Sequence, residues 1–237
     1  MSCTEIKVFF DTEFTGLRNG TKLISIGCII GTKTFYAEST EWLLDEENID
    51  DNTMAFLKKE VIPGLVYYDG LRKRINDDFD TFNDNVSMIG SEEKIARELV
   101  KFMLASIPEE IFEKVVFVPV SDVMYYDMVL FNDLMNRALK QDDLKHECDT
   151  RDVIISPYGI DICDMIRLCN HMSAYEAFDV NREELLDKLD SLNNREFFPI
   201  RKHNSLYDAR IIKSIYDAYM TKYRCASYKS ATKATND

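Results

Sequence analysis

The 237-residue chain is 46% hydrophobic with only eight Gly and five Pro, which argues against a disordered or linker-rich protein and allows one sizeable core. Its formal net charge of -13 speaks against a protein that coats nucleic acid regardless of sequence, because phosphate binding is driven by Lys and Arg. It leaves room for a nucleic-acid enzyme whose carboxylates are neutralised by metal ions. No segment reaches the ~20 apolar residues of a membrane span, and the N-terminal apolar run is broken by Glu5 and Lys7. The expectation is a soluble, cytoplasmic protein with no membrane association, whose six scattered cysteines, lacking zinc-ligand spacing, are mostly buried free thiols.

In chain order, "EIKVFF" (5–10) is β-prone and ends at Asp11. "TGLRNGT" supplies a turn, and "KLISIGCII" and "TKTFYAES" read as two further strands of an antiparallel meander. Residues 69–90 are polar without sustained periodicity and read as an insertion or mobile loop. "SEEKIARELVKFML" predicts an amphipathic helix with Ser91 as N-cap. "KVVFVPV" (114–120) reads as a buried strand, and helical spacing follows at Met128, Phe131, Leu134 and Met135. "NREELLDKLDSL" and "NSLYDARIIKSIYDAYM" are helices, residues 225–237 a frayed tail, and Trp42 a core residue. The order implies one α/β domain over 1–224, with helices packed on a mixed sheet.

Carboxylates gather where these elements end. Period-two alternation puts Asp11 and Glu13 on one face of a strand end, where an apolar strand finishing in two acids calls for something cationic beside them. A solvated strand end is the plain alternative. Asp127 stands at a helix onset, as an ordinary first-turn acid or as a ligand, with Asp122 as its rival. His203 lies five residues before Asp208 in "HNSLYDAR"; alone it is an unremarkable flanking histidine, and Asp208 an acid in the first turn after Asn204. Residues 201–224 carry six Lys/Arg against two Asp, either a phosphate-facing strip or a solvated helix face.

Taken in order, "FDTEFTG", the "YD" of "MYYDMVLF" and "HNSLYDAR" resemble the three motifs of the DEDDh exonucleases. The sister DEDDy class would need a tyrosine at 204, where this chain has Asn. "TKLISIGCII", "GIDICDM" and "VNREEL" extend the likeness over roughly residues 5–220, closest to the small bacterial and phage exoribonucleases of the ribonuclease AS type. The resemblance implies a ribonuclease H-like fold and a metal-dependent 3′-to-5′ exonuclease removing nucleoside monophosphates from single-stranded ends, RNA in preference to DNA, with a homodimer possible. It further implies two divalent ions, Mg²⁺ or Mn²⁺, held by oxygen ligands. Asp11 would bridge both; Glu13 and Asp208 would bind the ion that activates water; Asp127 would act on the other through water. His203 would be the general base, reaching in from a flexible segment that closes on substrate. For substrate contact, Phe14 offers a stacking or wedging face or else packs in the core. Thr12 and Thr15 suit the terminal 3′-hydroxyl, and Asn204 and Arg182 sugar or phosphate. A DNA-directed enzyme, a catalytically silent binding domain of the same fold and an acidic metal-binding module are the competing readings.

Overall fold

The computed structural model describes residues 3–68, 79–82, 85–111, 114–150, 152–189 and 202–234. The predicted meander is present as β1 (Cys3–Phe14), β2 (Leu23–Ile30) and β3 (Lys33–Ser39). A 3₁₀ helix (Glu41–Asn48) and α1 (Asp51–Phe56) follow, the latter running on through a wide turn (Leu57–Val61) and a tight one (Ile62–Gly64). Then come β4 (Phe79–Phe82), β5 (Asn85–Gly90), α2 (Glu92–Ala105), β6 (Lys114–Ser121) and α3 (Met124–Ala138). After α4 (Asp142–Thr150), β7 (Val153–Ile155) and β8 (Ile160–Asp161), four further helices are described. These are α5 (Ile162–Asn170), α6 (Ala174–Asp179), α7 (Arg182–Lys188) and α8 (Ser205–Ala234).

Among the described residues the strands form one mixed sheet in the order β4-β5-β3-β2-β1-β6-β7, with β8 also pairing with β6. The meander and the β4–β5 hairpin are antiparallel. The pairings of β6 with β1, β7 and β8, and of β3 with β5, are parallel. Alternation along β1 divides the core between two helical layers. Val8 and Phe10 pack with α2 and α3, where the Phe10 and Phe131 rings lie 4.5 Å apart. Phe9 faces the other way, onto α5 to α8, its ring 5.2 Å from that of Tyr216. Each such buried aromatic side chain contributes about 1.5–3 kcal/mol. Trp42 is buried with Ile24, Leu57 and Val61 in a third cluster, as expected of a core residue.

The structure departs from the sequence reading at two stretches and in the cysteines. The 69–90 stretch contains β4 and β5, with Met88 fully buried; strands this short gain their order from pairing with β3, which leaves no local period to read. The remainder of that stretch, 69–78 and 83–84, lies outside the described residues. The supposed tail is helical through Ala234, since no Gly or Pro interrupts α8; 235–237 lie outside the described residues. Of the cysteines whose side chains are described, only Cys28 is buried, whereas Cys3 is exposed, so the expectation of mostly buried thiols also fails. No helix among the described residues is long and apolar enough to cross a membrane.

Candidate active site

The site is assembled where the start of α8 presses on β1 and β2. Asp11 pairs across the sheet with Gly27 and Glu13 with Ser25. Asp11 and Glu13 follow Phe9 in period two, so they face α8. The register shifts between Glu13 and Phe14, which pairs with Leu23 and leaves Ile24 over; an irregularity of this kind re-aims the side chains beside it. A Cβ built on Gly27 would lie 2.2 Å from the backbone nitrogen of Leu206. Only glycine lets α8 come down beside Asp11. The Ser25 and Ser205 hydroxyls meet there at 3.0 Å.

Asn204 caps α8, its Oδ1 accepting from the N–H groups of Leu206 (3.2 Å) and Tyr207 (3.1 Å). Its Nδ2 donates to the Gly64 carbonyl at 2.9 Å. One turn in, Asp208 accepts the His203 backbone N–H at 2.9 Å, and His203 itself has φ +65°, a left-handed conformation that is uncommon for histidine. The His203 Nδ1 lies 3.5 Å from Glu13 Oε1, and its ring meets Phe56 edge-on at 5.5 Å. Glu13, His203 and Asp208 each bring one potential ligand atom within 4.8 Å of the others.

Asp127 enters from α3 and is buried. The Thr12 N–H (3.1 Å) and hydroxyl (2.6 Å) donate to its Oδ1, and the Ser121 hydroxyl donates to its Oδ2. These donors are all neutral, so they orient the carboxylate without cancelling its charge. Asp122 differs: Arg182 grips it in a two-pronged ion pair at 2.7 and 2.9 Å. Both acids line the cleft, but Asp122 already has its cation.

Asp11, Glu13, Asp127, His203 and Asp208 all line one cleft of about 430 Å³. The crowding shows in the electrostatics. Burial first, and then the neighbouring carboxylates Asp127, Asp208 and Glu13, hold the Asp11 carboxyl well above its usual range. Burial pushes Asp127 up to about 7 against the opposing pull of Ser121 and Thr12. Asp208 also reaches about 7, from burial and the charge of Glu13. His203 is raised chiefly by Glu13. The four carboxylates thus share too little positive charge. A hard divalent cation matches this oxygen-rich donor set and would relieve that repulsion; the donor set alone does not identify the ion.

The structure places the substrate-contact candidates as follows. Thr15 is fully buried away from the cleft, its hydroxyl accepting the Lys22 N–H at 2.9 Å to close the β1–β2 turn. Asn204 is the helix cap and does not line the cleft. Arg182 lines it, but its guanidinium is taken up by Asp122 and by the Ala177 (2.9 Å) and Val180 (2.6 Å) carbonyls, which makes it a strut between α7 and the end of β6. Thr12 lines the cleft with its hydroxyl committed to Asp127. Phe14 combines both of its readings, cleft wall and partial packing on the core. The His203 backbone is tied to Asp208, and Asn204 beside it to Gly64.

Tyr126, Lys202, Tyr207 and Phe178 also line the cleft without having been anticipated; Tyr207 donates to Glu183 at 2.5 Å. For Gly27 a signal existed, an isolated glycine inside the apolar strand "LISIGCII". For the others, side-chain identity alone gave none. No family model and no curated protein matches the chain.

Proposed function

We propose that the chain is a metal-dependent 3′-to-5′ exonuclease of the DEDDh type on a ribonuclease H-like fold, acting on single-stranded ends with RNA preferred to DNA. The observation that carries this is the convergence of Asp11, Glu13, Asp127, His203 and Asp208 in one cleft from three separate segments of the chain. An antiparallel meander continued by parallel strands, with helices on both faces, agrees with that fold. Asp11, Glu13 and Asp208 would hold the divalent ions, and Asp127 rather than the ion-paired Asp122 would be the remaining acidic ligand, acting through water because its oxygens are already hydrogen-bonded. Two such ions, when bound, lower the pKa of water and stabilise charge on the attacking and leaving oxygens.

The protein's own groups supply the rest. Glu13 engages His203 through Nδ1, which leaves Nε2 to take the proton of the attacking water. Fixing the other ring nitrogen is how imidazole bases are oriented generally. Thr12 and Ser121 keep Asp127 aimed, and the Arg182–Asp122 strut holds the wall that faces it.

The test is a gel assay with matched 5′-labelled single-stranded RNA and DNA, in Mg²⁺, Mn²⁺ and EDTA, for wild type beside His203→Ala. The expected result is a ladder that shortens from the 3′ end only with metal, is lost in the variant, and runs faster on RNA. Faster DNA digestion would reverse the sugar preference. No shortening of either strand would refute the nuclease reading in favour of a silent binding domain.

A further inference from the structure

Glu13, Ser25 and Glu38 stand directly across β1, β2 and β3 from one another, and opposed residues of antiparallel strands share a face of the sheet. The row runs from a candidate metal ligand to an acid that does not line the cleft. Glu38 is fully buried. A carboxyl in that position is costly unless hydrogen bonds hold it, and here they fall on one oxygen. Oε1 accepts from the Tyr36 hydroxyl (2.7 Å) and from the N–H groups of Val66 (2.5 Å) and Tyr67 (3.0 Å), whereas Oε2 has no partner among the described residues.

Two paths lead from Oε1 to the start of α8. The first follows the chain. Val66 and Tyr67 come just after the Ile62–Gly64 turn, and the Gly64 carbonyl accepts the Asn204 Nδ2 at 2.9 Å. A Cβ on Gly64 would lie 2.9 Å from the His203 carbonyl oxygen, so the turn also seats against the His203 backbone. The second path runs through hydroxyls. Tyr36 gives its proton to Glu38, so in its hydrogen bond with Ser25 it can only accept. Ser25 has then spent its one proton, and the 3.0 Å contact between Ser25 and Ser205 must be donated by Ser205. The order Ser205, Ser25, Tyr36, Glu38 assigns every proton along a buried row. Both paths arrive on the segment between His203 and Asp208.

We propose that Glu38 is a positioning residue: through Oε1 it sets where α8 begins, and so where His203 and Asp208 stand against Asp11 and Glu13. The kinetic consequence rests on the nuclease reading above; the placement of α8 does not. A helix start anchored at two points can neither slide nor rotate about either one alone. Reacting groups need to be held within about 0.5 Å of their productive places by neighbours that are themselves locked, and a buried oxygen accepting three donors is such a neighbour.

The experiment reads the position of His203 directly. The chain holds three histidines, so NMR of the full chain with ¹⁵N-labelled histidine gives three rings, and the one missing in His203→Ala is His203. Spectra are recorded for wild type, Glu38→Ala, Glu38→Gln, Tyr36→Phe and Leu99→Ala. Leu99 is buried in the other helical layer, and its truncation brings a comparable loss of stability with no link to α8. Glu38→Ala should move the His203 ring signals and leave those of His146 and His171 in place. Glu38→Gln, which keeps the accepting oxygen, should restore them; Tyr36→Phe, which cuts the second path alone, should move them less; and Leu99→Ala should not move them. Hydrolysis of labelled RNA in Mn²⁺ should follow the same order, with kcat about 100-fold lower in Glu38→Ala and KM little changed. Unmoved His203 signals in folded Glu38→Ala, or an equal shift in Leu99→Ala, would overturn the proposal. If Glu38→Ala does not fold, Tyr36→Phe decides, and His203 signals at their wild-type positions in that variant overturn it as well. If wild type cleaves no RNA or DNA, the nuclease reading fails and the kinetic comparison with it, while the His203 signals still decide whether Glu38 sets the start of α8.

Discussion

Replacing Gly27 by alanine should unseat the start of α8. The new Cβ would lie 2.2 Å from the Leu206 nitrogen and 2.3 Å from both the Leu206 Cα and the Ser205 carbonyl carbon, where ordinary contact begins at 3.4 Å. All three are backbone atoms, so no side chain can swing away, and a retreat of about 1.2 Å, the difference between 3.4 and 2.2, falls on either the helix or the strand. β2 is paired on both edges, to β1 and β3, so the helix is the element that moves. Overpacking of this kind costs about 1–3 kcal/mol, and the strained Ser25–Ser205 hydrogen bond adds about 1 kcal/mol. At about 2–4 °C per kcal/mol for a chain of this size, Tm should fall by roughly 4–16 °C. The same displacement carries Asp208 and His203 away from Asp11 and Glu13, and a misplacement near 1 Å costs about 100-fold in rate. Urea unfolding followed by circular dichroism gives the first quantity and the labelled-RNA assay the second. A Gly27→Ala protein within about 0.5 kcal/mol of wild type, with unchanged rate, would show that the close approach does not govern the site.

Asp208→Asn should stabilise the protein in EDTA. The folded state holds the Asp208 proton up to about pH 7 whereas the unfolded chain releases it near pH 4, so in that window the folded state binds more protons and wild-type stability falls as pH rises. The advantage of the carboxamide should therefore grow between pH 5 and pH 7.5 in urea titrations; an advantage that shrinks with pH would contradict the electrostatic account. Glu38→Ala should cost about 3 kcal/mol or more by the same unfolding measurement, because it strands three donors that converge on Glu38 Oε1: the Tyr36 hydroxyl (2.7 Å) and the N–H groups of Val66 (2.5 Å) and Tyr67 (3.0 Å). Glu38→Gln, which retains that acceptor, should recover more than half of the loss, and a cost below about 1 kcal/mol for the alanine variant would sink the idea.

What the sequence disclosed follows the range over which its signals act. The meander was legible because apolar strands and turn residues are local, and so was α2, with Ser91 capping the Lys94 N–H. The five candidate site residues came from the resemblance of three motifs, although their convergence in one cleft is a property of the fold. The ion pair of Arg182 was not legible because its partner, Asp122, lies sixty residues away and leaves no trace near it. Asn204 is a different case. An Asn four residues before a first-turn acid at a helix onset is an N-cap pattern, and the cap explanation outweighs a ligand role once its three hydrogen bonds are seen. The stretch from 41 to 64 escaped because it changes helical type three times, which erases any single period.

The way α8 begins bears on how the chemistry would be organised. A left-handed backbone at a non-glycine residue costs on the order of 1–3 kcal/mol, and His203 adopts one because its surroundings leave it little choice. Asp208 holds its N–H, and Gly64 sits so close that a Cβ there would be 2.9 Å from the His203 carbonyl oxygen. Asn204 ties the next residue to the same Gly64. Gly64 is in turn anchored through its own chain, since Val66 and Tyr67 are fastened to Glu38 on β3. The strain at His203 is therefore offset by buried hydrogen bonds reaching back to the centre of the sheet. An imidazole fixed in this way needs little rearrangement when substrate arrives, and pre-organised groups are the more effective ones in a site crowded with like charge. The four carboxylates draw on the same scaffold, each held by a strand or by the first turn of a helix; for Asp11, Asp127 and Asp208, burial first and then neighbouring charge raise the pKa instead of spreading the groups apart.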